Sequence, residues 1–401
     1  MAERSHRIDC LDSLRGLAAL SVVFLHVLSV YGAIDLLRGD GEVGSLTAFL
    51  LSRTPLGILY AGAEAVILFF TLSGFVLALP FLSDRTPSYP AFLTRRVCRI
   101  YLPYAAALFI AIVARSAVTI EPVAGATPWF EMFWTAPPTL GTVAGYLAMT
   151  GFSYHTAIDF VVWSLIHEMR ISLIFPLLMA MTARGRLEIR LGIAAAFSIA
   201  CAVANLRITG TSTLHFVLGS LLDTGSYIWF FVVGIELARY RRVIARWVAA
   251  RSHAEVSALF AAAVCFYGVR YPFPELVRTL ELDFITGLGA AGFIALAIGR
   301  AGFNRWLTGA PLLFLGRVSY SLYLFHPIVL LTAVYAMHGR VNTVILLAAA
   351  VPLSIGAAAL AWALIEKPST ELGRMLTRRT AELHPSRSRL GCSNIRSERR
   401  R

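Results

Sequence analysis

Long apolar runs separated by short polar segments dominate the sequence. Ten of them have membrane-spanning length, near residues 14–32, 56–80, 102–120, 160–182, 191–208, 223–238, 254–271, 282–299, 310–336 and 341–365. A hydrocarbon core about 30 Å thick needs ~20 helical residues, and backbone inside lipid has to satisfy its own hydrogen bonds. No run has the alternation of a barrel strand. The pattern predicts an all-α polytopic membrane protein, with ten transmembrane helices in one bundle.

Two further stretches, 143–152 and 211–222, are open to interpretation as extra spanning or re-entrant elements. The basic residues then orient the chain. One set of connecting segments holds sixteen before residue 367, residues 367–401 add ten, and the opposite set holds six. Because Lys and Arg accumulate on the cytoplasmic side, we predict a cytoplasmic (inner) membrane protein with both termini inside. We expect a membrane domain over 1–366 and a basic, disordered tail over 367–401.

The composition excludes a soluble enzyme, since 57% of the residues are hydrophobic and only 15% are charged. The mean hydropathy of +0.70 agrees. The net charge of +13 raises the question of nucleic acid, but ten basic and three acidic residues lie in 367–401, directly after the last apolar run. That location favours anionic membrane lipids over nucleic acid as partners. The five cysteines are scattered without CxxC spacing, so we predict neither a disulfide framework nor a metal site.

Ionisable residues inside spans are costly unless they are partnered or face a cavity. Arg15 and His26 lie in the first span, eleven residues and therefore three helical turns apart, so they share one face. The imidazole lies roughly 16 Å deeper than the guanidinium. The alternative is a purely structural role, in which Arg15 is a positive-inside anchor and His26 forms a hydrogen bond between helices.

The other polar positions lie in three later stretches. Ser164, Glu168 and Ser172 form one stripe on the fourth span, and a carboxylate there needs a partner or a cavity. Arg96 and Arg99 share a face and suit phosphates, although the positive-inside rule also accounts for them.

The Ser73–Gly74 pair indicates close helix packing, and without a G-x-S-x-G elbow Ser73 is not a predicted nucleophile. His326 precedes Pro327 in the ninth span, one turn beyond Tyr323. For this cluster, structural and functional interpretations both stay open.

Taken in order, these stretches resemble the membrane-bound acyltransferase-3 family, whose members O-acylate sugars and other acceptors. The family's LRGLAAL-type opening, with ten residues between an Arg and a His, matches Arg15 and His26. The other matching stretches are FFxLSGF at Phe69–Phe75, an RRxxRI-type stretch at Arg95–Tyr104, WSLxxE at Trp163–Glu168 and an SYxLYLxH-type stretch at Ser319–Pro327. The resemblance covers about residues 7–368.

The resemblance implies an acyl-CoA-dependent O-acyltransferase, with acetyl-CoA as the expected donor and a glycan or related hydroxyl compound as acceptor. It implies donor binding by Arg15, Arg96, Arg99 and Ser73. It also implies catalysis by His26, either as general base or as transient acyl carrier, and by Glu168, which is expected from the extracytoplasmic side to orient the imidazole or to bind acceptor hydroxyls. Expected acceptor contacts are Trp163, Ser164, Tyr323 and His326. The segment 121–159, with Trp129 and Trp134, is either part of an acceptor site or an interfacial aromatic belt.

Two other classes of function remain as alternatives. A transporter of a glycan or lipid-linked intermediate would show paired halves with broken helices, which the sequence does not display. A non-catalytic membrane scaffold would not be stabilised by CoA against unfolding.

Overall fold

The computed structural model describes residues 8–32, 54–83, 86–151, 157–208, 210, 212–270 and 280–383. Over these ranges the chain is helical and contains no strand. In chain order the helices are α1 (Asp9–Ser29), α2 (Gly62–Phe81), α3 (Tyr89–Ser116), α4 (Pro128–Glu131), α5 (Leu140–Leu147), α6 (Val162–Met181), α7 (Leu187–Leu206), α8 (Thr213–Ser226), α9 (Ile228–Ala249), α10 (His253–Tyr267), α11 (Leu280–Gly299), α12 (Ala301–Leu307), α13 (Ala310–Met337), α14 (Thr343–Ala361) and α15 (Lys367–Leu383). A 3₁₀ turn, Pro55–Tyr60, precedes α2, and π-turns occupy Val97–Tyr101 inside α3 and Trp362–Glu366 between α14 and α15.

The all-α polytopic fold is confirmed. Among the described residues, nine helical segments are long and apolar enough to cross a membrane. All ten predicted runs coincide with helices, but the seventh, near 254–271, forms only the 15-residue α10. At 1.5 Å per residue α10 spans roughly 22 Å, which is less than the hydrocarbon thickness. The two ambiguous stretches contribute α5 and α8, and the side of the membrane that holds the termini stays a prediction.

Glycine pairs bring the central helices into backbone contact. A Cβ on Gly16 of α1 would lie 2.5 Å from the Gly316 nitrogen of α13, and a Cβ on Gly74 of α2 would lie 2.2 Å from the Phe231 oxygen of α9. Lipid supplies little hydrophobic force between helices, so close van der Waals contact through small residues holds such crossings together. The packing role predicted for Gly74 is therefore confirmed.

Helices α1 and α13 run parallel and in register. Gly16 faces Gly316 near their starts, and ten residues later His26 faces His326. We call the end of the bundle where both helices start the basic end, because Arg15, Arg96 and Arg99 lie there. The opposite end, where α1 finishes and residues 117–151 fold over the bundle, is the loop end.

The loop-end segment is tied to the helices by hydrogen bonds. Thr127 donates its backbone N–H to the Val30 oxygen at 2.9 Å and its hydroxyl to the Ser29 oxygen at 2.7 Å. Trp134 is fully buried and donates its indole N–H to the Ile158 oxygen at 2.9 Å. Trp134 is therefore packed into the bundle and is not part of an interfacial aromatic belt.

The beginning of the predicted tail is ordered. Lys367–Leu383, expected to be disordered, is helix α15, which continues from α14 through the π-turn and packs on α3. Gly373 explains the docking, since a Cβ there would lie 2.9 Å from Cys98 Cβ. Residues 384–401 lie outside the described ranges.

Candidate active site

A cavity of about 440 Å³ opens at the basic end between α1, α2, α3, α6, α13 and α15. Seven of the ten residues selected from the sequence line it: Arg15, Ser73, Arg96, Arg99, Ser164, Glu168 and Tyr323. The other three, His26, His326 and Trp163, lie elsewhere in the bundle. The charged lining comprises six cations and four carboxylates, so the cavity is suited to an anionic ligand.

Glu168 holds Arg96 in a fixed position. The Arg96 Nη2 donates to Glu168 Oε1 at 2.9 Å, and Ser73 Oγ donates to the same oxygen at 2.8 Å. Arg96 also donates to Ser172 Oγ from Nη2 at 3.0 Å and from Nε at 3.2 Å. The serine in turn donates to the Glu168 backbone oxygen at 2.7 Å. These bonds satisfy a buried ion pair that would otherwise be costly in the membrane.

Glu168 therefore lies in a different place from the one expected. It is grouped with the arginines at the basic end, and the hydrogen-bonding partner of the His26 ring is His326. A carboxylate needs a partner inside a membrane, but the sequence alone does not say which cation reaches it. The Ser73 hydroxyl, as a donor to Glu168, likewise serves the ion pair.

The mouth of the cavity carries further cations. Arg15 lies 3.7 Å from Asp12, and Arg99, Arg317, Lys367 and Arg374 also line the cavity. The last two come from α15 and were not selected from the sequence. Their signal was available as the helical spacing of basic residues after the last apolar run.

His26 lies near the loop end of α1 in an aromatic enclosure. Its ring is stacked on Trp129, with centroids 5.5 Å apart and planes at 15°. Phe160 meets it edge-on at 4.8 Å. Sequence reasoning considered Trp129 only as part of a possible acceptor site and missed Phe160, since nothing in a loop sequence fixes which helix it covers.

A chain of hydrogen bonds defines the protonation of the His26 ring. The His326 Nδ1 lies 2.9 Å from the Leu322 backbone oxygen, which can only accept, so Nδ1 carries the proton. In a neutral ring the His326 Nε2 then accepts, and the His26 Nδ1 donates to it at 2.8 Å. The two rings are parallel within 7°. The remaining nitrogen of His26, Nε2, therefore carries a lone pair and is available as a base.

Tyr323 stands between the cavity and the histidine pair. Its ring lines the cavity and lies 6.3 Å, centroid to centroid, from the ring of His326. Its hydroxyl donates to the Val161 oxygen at 3.1 Å and lies 2.7 Å from Ser164 Oγ. The cavity thus reaches Tyr323 and Ser164 but not His26. Arg15 lines this cavity, and His26, three turns further along α1, does not.

Trp163 belongs to a different part of the bundle. It lines a cavity of about 200 Å³ together with Tyr227, Asp223 and Asp283. Its ring meets His167 at 5.9 Å. The structure does not bring Trp163 together with the other predicted site residues.

The residue before Phe160 carries a buried carboxyl group. Asp159 is 1% exposed, and its Oδ1 accepts the Val161 N–H at 3.1 Å. Its Oδ2 has no hydrogen-bond partner among the described residues. Burial raises the pKa of Asp159 to about 7, and the bond from Val161 lowers it only in part.

Comparison with known proteins bears on this arrangement. The family model described as an acyltransferase domain, of the acyltransferase-3 type, matches residues 8–365. No curated protein and no solved structure matches the chain. The match includes the histidine pair, the part of the cavity lining that precedes residue 366, and nine-tenths of the sequence, so the chain belongs to the acyltransferase-3 family.

Proposed function

We propose that this membrane acyltransferase transfers an acyl group, with acetyl as the expected group, from acyl-CoA to a hydroxyl of a glycan or related acceptor. The observation that carries the proposal is the pairing of a cation-lined cavity at one end of α1 with a base-competent imidazole near the other. We also propose that the basic end faces the cytosol, because Lys and Arg accumulate there.

The donor would bind through its phosphates. Arg15, Arg96 and Arg99 line the cavity, and guanidinium groups suit phosphate oxygens. Glu168 and Ser172 already hold Arg96 through its Nε and Nη2, so its Nη1 would donate to the phosphate. The role proposed for Glu168 is therefore to position Arg96.

His26 would act as the general base. Its Nε2 takes the proton of the acceptor hydroxyl while that oxygen forms a bond to the thioester carbonyl carbon. The carbon–sulfur bond then breaks, and the proton passes from Nε2 to the departing thiolate of CoA. A positioned base of this kind contributes about 10²–10⁴ in rate. The role proposed for His326 is to fix the tautomer and orientation of His26.

We expect Tyr323 to move on this route. Its ring lines the cavity and lies beside His326, so a thioester that passes from this cavity to His26 would displace the side chain from Ser164 and Val161.

The test is acyl transfer by the purified full-length chain in proteoliposomes, with radiolabelled acetyl-CoA inside and cell-envelope glycan outside. His26→Ala and Arg15→Ala are expected to abolish transfer. His253→Ala and Arg305→Ala, which alter exposed residues, are matched controls and should retain it. A folded His26→Ala variant with full activity would sink the proposed mechanism.

Two further measurements separate the alternatives. CoA at 100 times its dissociation constant should stabilise the folded chain by about 2.7 kcal/mol, an effect that a scaffold would lack. Passage of glycan into vesicles without any acyl-CoA would support a transporter. Label recovered on His26 after donor alone is added would replace the general base by an acyl carrier.

A further inference from the structure

Helix α15 presents three distinct faces. One lines the cavity through Lys367, Thr370, Glu371 and Arg374. A second docks on α3, where Thr377 accepts a hydrogen bond from the Arg95 Nε at 2.9 Å.

The third face of α15 points away from the protein and is apolar. Leu372 is 39% exposed and Met375 is 57% exposed. Arg378, which follows them, is also exposed. Arg378 lies one turn after Arg374, so this cation borders the apolar face on the side of the cavity face.

The length of the helical segment places α15 beyond the hydrocarbon. Thr343–Arg378 is continuous over 36 residues, which at 1.5 Å per residue is about 54 Å. A bilayer core is about 30 Å thick, so roughly 16 residues must lie outside it. Glu366 and Lys367, the first charged residues after the span, mark the transition.

The exposed apolar face continues a lipid-facing surface. Leu360 and Leu364, in the preceding turns, are 64% and 73% exposed. The sequence from 367 to 401 carries ten basic and three acidic residues, so the surroundings of α15 are strongly cationic.

We propose that α15 is a membrane-surface helix that binds anionic phospholipid at the basic end. Its apolar face would enter the boundary between headgroups and acyl chains, with Arg378 at the headgroup phosphates, as amphipathic interfacial helices do. Because the opposite side of the same helix supplies Lys367 and Arg374 to the cavity, lipid binding holds one wall of the cavity in place. Only the identity of the cavity's ligand rests on the proposed function; the lipid contact does not.

The test is hydrogen–deuterium exchange of the peptide 367–378 in the full-length chain. The protein is placed in nanodiscs of phosphatidylcholine alone or with phosphatidylglycerol. Exchange is expected to be at least about tenfold slower in the anionic discs. The double variant Leu372→Ser/Met375→Ser and the single variant Arg378→Glu should each lose that difference. The control Leu140→Ser, 90% exposed at the loop end, should keep it.

Equal exchange in both kinds of disc, or a lipid effect that survives in both α15 variants, would overturn the proposal. Slowing by polyuridylic acid in phosphatidylcholine discs would assign the face to nucleic acid instead. No acyl donor is present, so failure here leaves the transfer assay unaffected, and failure of transfer leaves this result standing.

Discussion

The buried Asp159 carboxyl should make the stability of the protein depend on pH, and Asp159→Asn should remove that dependence. The side chain is 1% exposed, and its one hydrogen bond among the described residues comes from the Val161 N–H. An asparagine oxygen can accept the same bond. The substitution therefore removes the ionisation while keeping the local contact.

The magnitude follows from the difference in pKa. The ordinary value is 3.8 and the folded value is about 7. At about 1.4 kcal/mol per pH unit, the difference corresponds to about 4 kcal/mol of folding free energy. Between these two values the folded chain binds more protons than the unfolded chain, so stability falls as the pH rises from about 4 to about 7. Above about pH 7 the whole loss is present.

The assay is thermal unfolding of the full chain in detergent at pH 5, 6, 7 and 8, at one scan rate. Asp159→Asn introduces a buried amide N–H group, which costs about 1–3 kcal/mol at every pH. Relative to the native chain, the variant should therefore gain stability steadily from pH 5 to pH 7 and then level off. Glu121→Gln, which alters an exposed carboxyl in the loop-end segment, serves as the control without this trend. A difference between Asp159→Asn and the native chain that does not change with pH would refute the reasoning.

Three other predictions concern the site. His326→Ala should lower kcat by about 10²-fold or more with little change in donor KM, and should shift the pH profile, because the His26 tautomer is no longer fixed; a merely structural role would leave the profile unchanged in the folded variant. Glu168→Ala should destabilise the protein by about 3–5 kcal/mol in thermal unfolding, since Arg96 is left buried without its carboxylate. The control Glu188→Ala, at an exposed carboxylate, should have no measurable effect. Equal melting temperatures for the two variants would contradict the assignment of the Arg96–Glu168 ion pair. Tyr323→Phe removes the hydroxyl that bonds Ser164 and the Val161 oxygen, and should raise the rate of transfer if ring movement limits it; an unchanged rate with unchanged KM would exclude that gating step.

The fold was largely predictable because the length and hydropathy of an apolar run identify a membrane-spanning helix. Lipid enforces helix formation, so each apolar run became a helix. The prediction that failed concerns one segment, residues 367–383, which was expected to be disordered. The sequence 367–383 looks like a polar tail, yet Gly373 permits contact with Cys98 and the helix is held.

The members of the candidate site were predictable in part, since seven of the ten selected residues line the cavity, but their partners were not. Arg15 and His26 followed from helical spacing on one span. Glu168 stood out as a carboxylate in lipid, but its bond to Arg96 joins residues 72 positions apart and depends on how α3 crosses α6. The His26–His326 contact, 300 positions apart, likewise depends on the register of two helices.

That register has its own consequence. Gly16 and Gly316, near the starts of α1 and α13, bring the two backbones into contact. This contact sets the register of the two helices, so it also sets which residues face each other further along them. A one-residue slip would rotate a side chain by about 100° and move it by about 1.5 Å, enough to part the imidazoles. An added methyl group at Gly16 or Gly316, about three turns away from the histidine pair, should thus impair transfer more than many changes in the loops. If His26 acts as proposed, the position of its ring depends on the backbone spacing at the far end of the bundle.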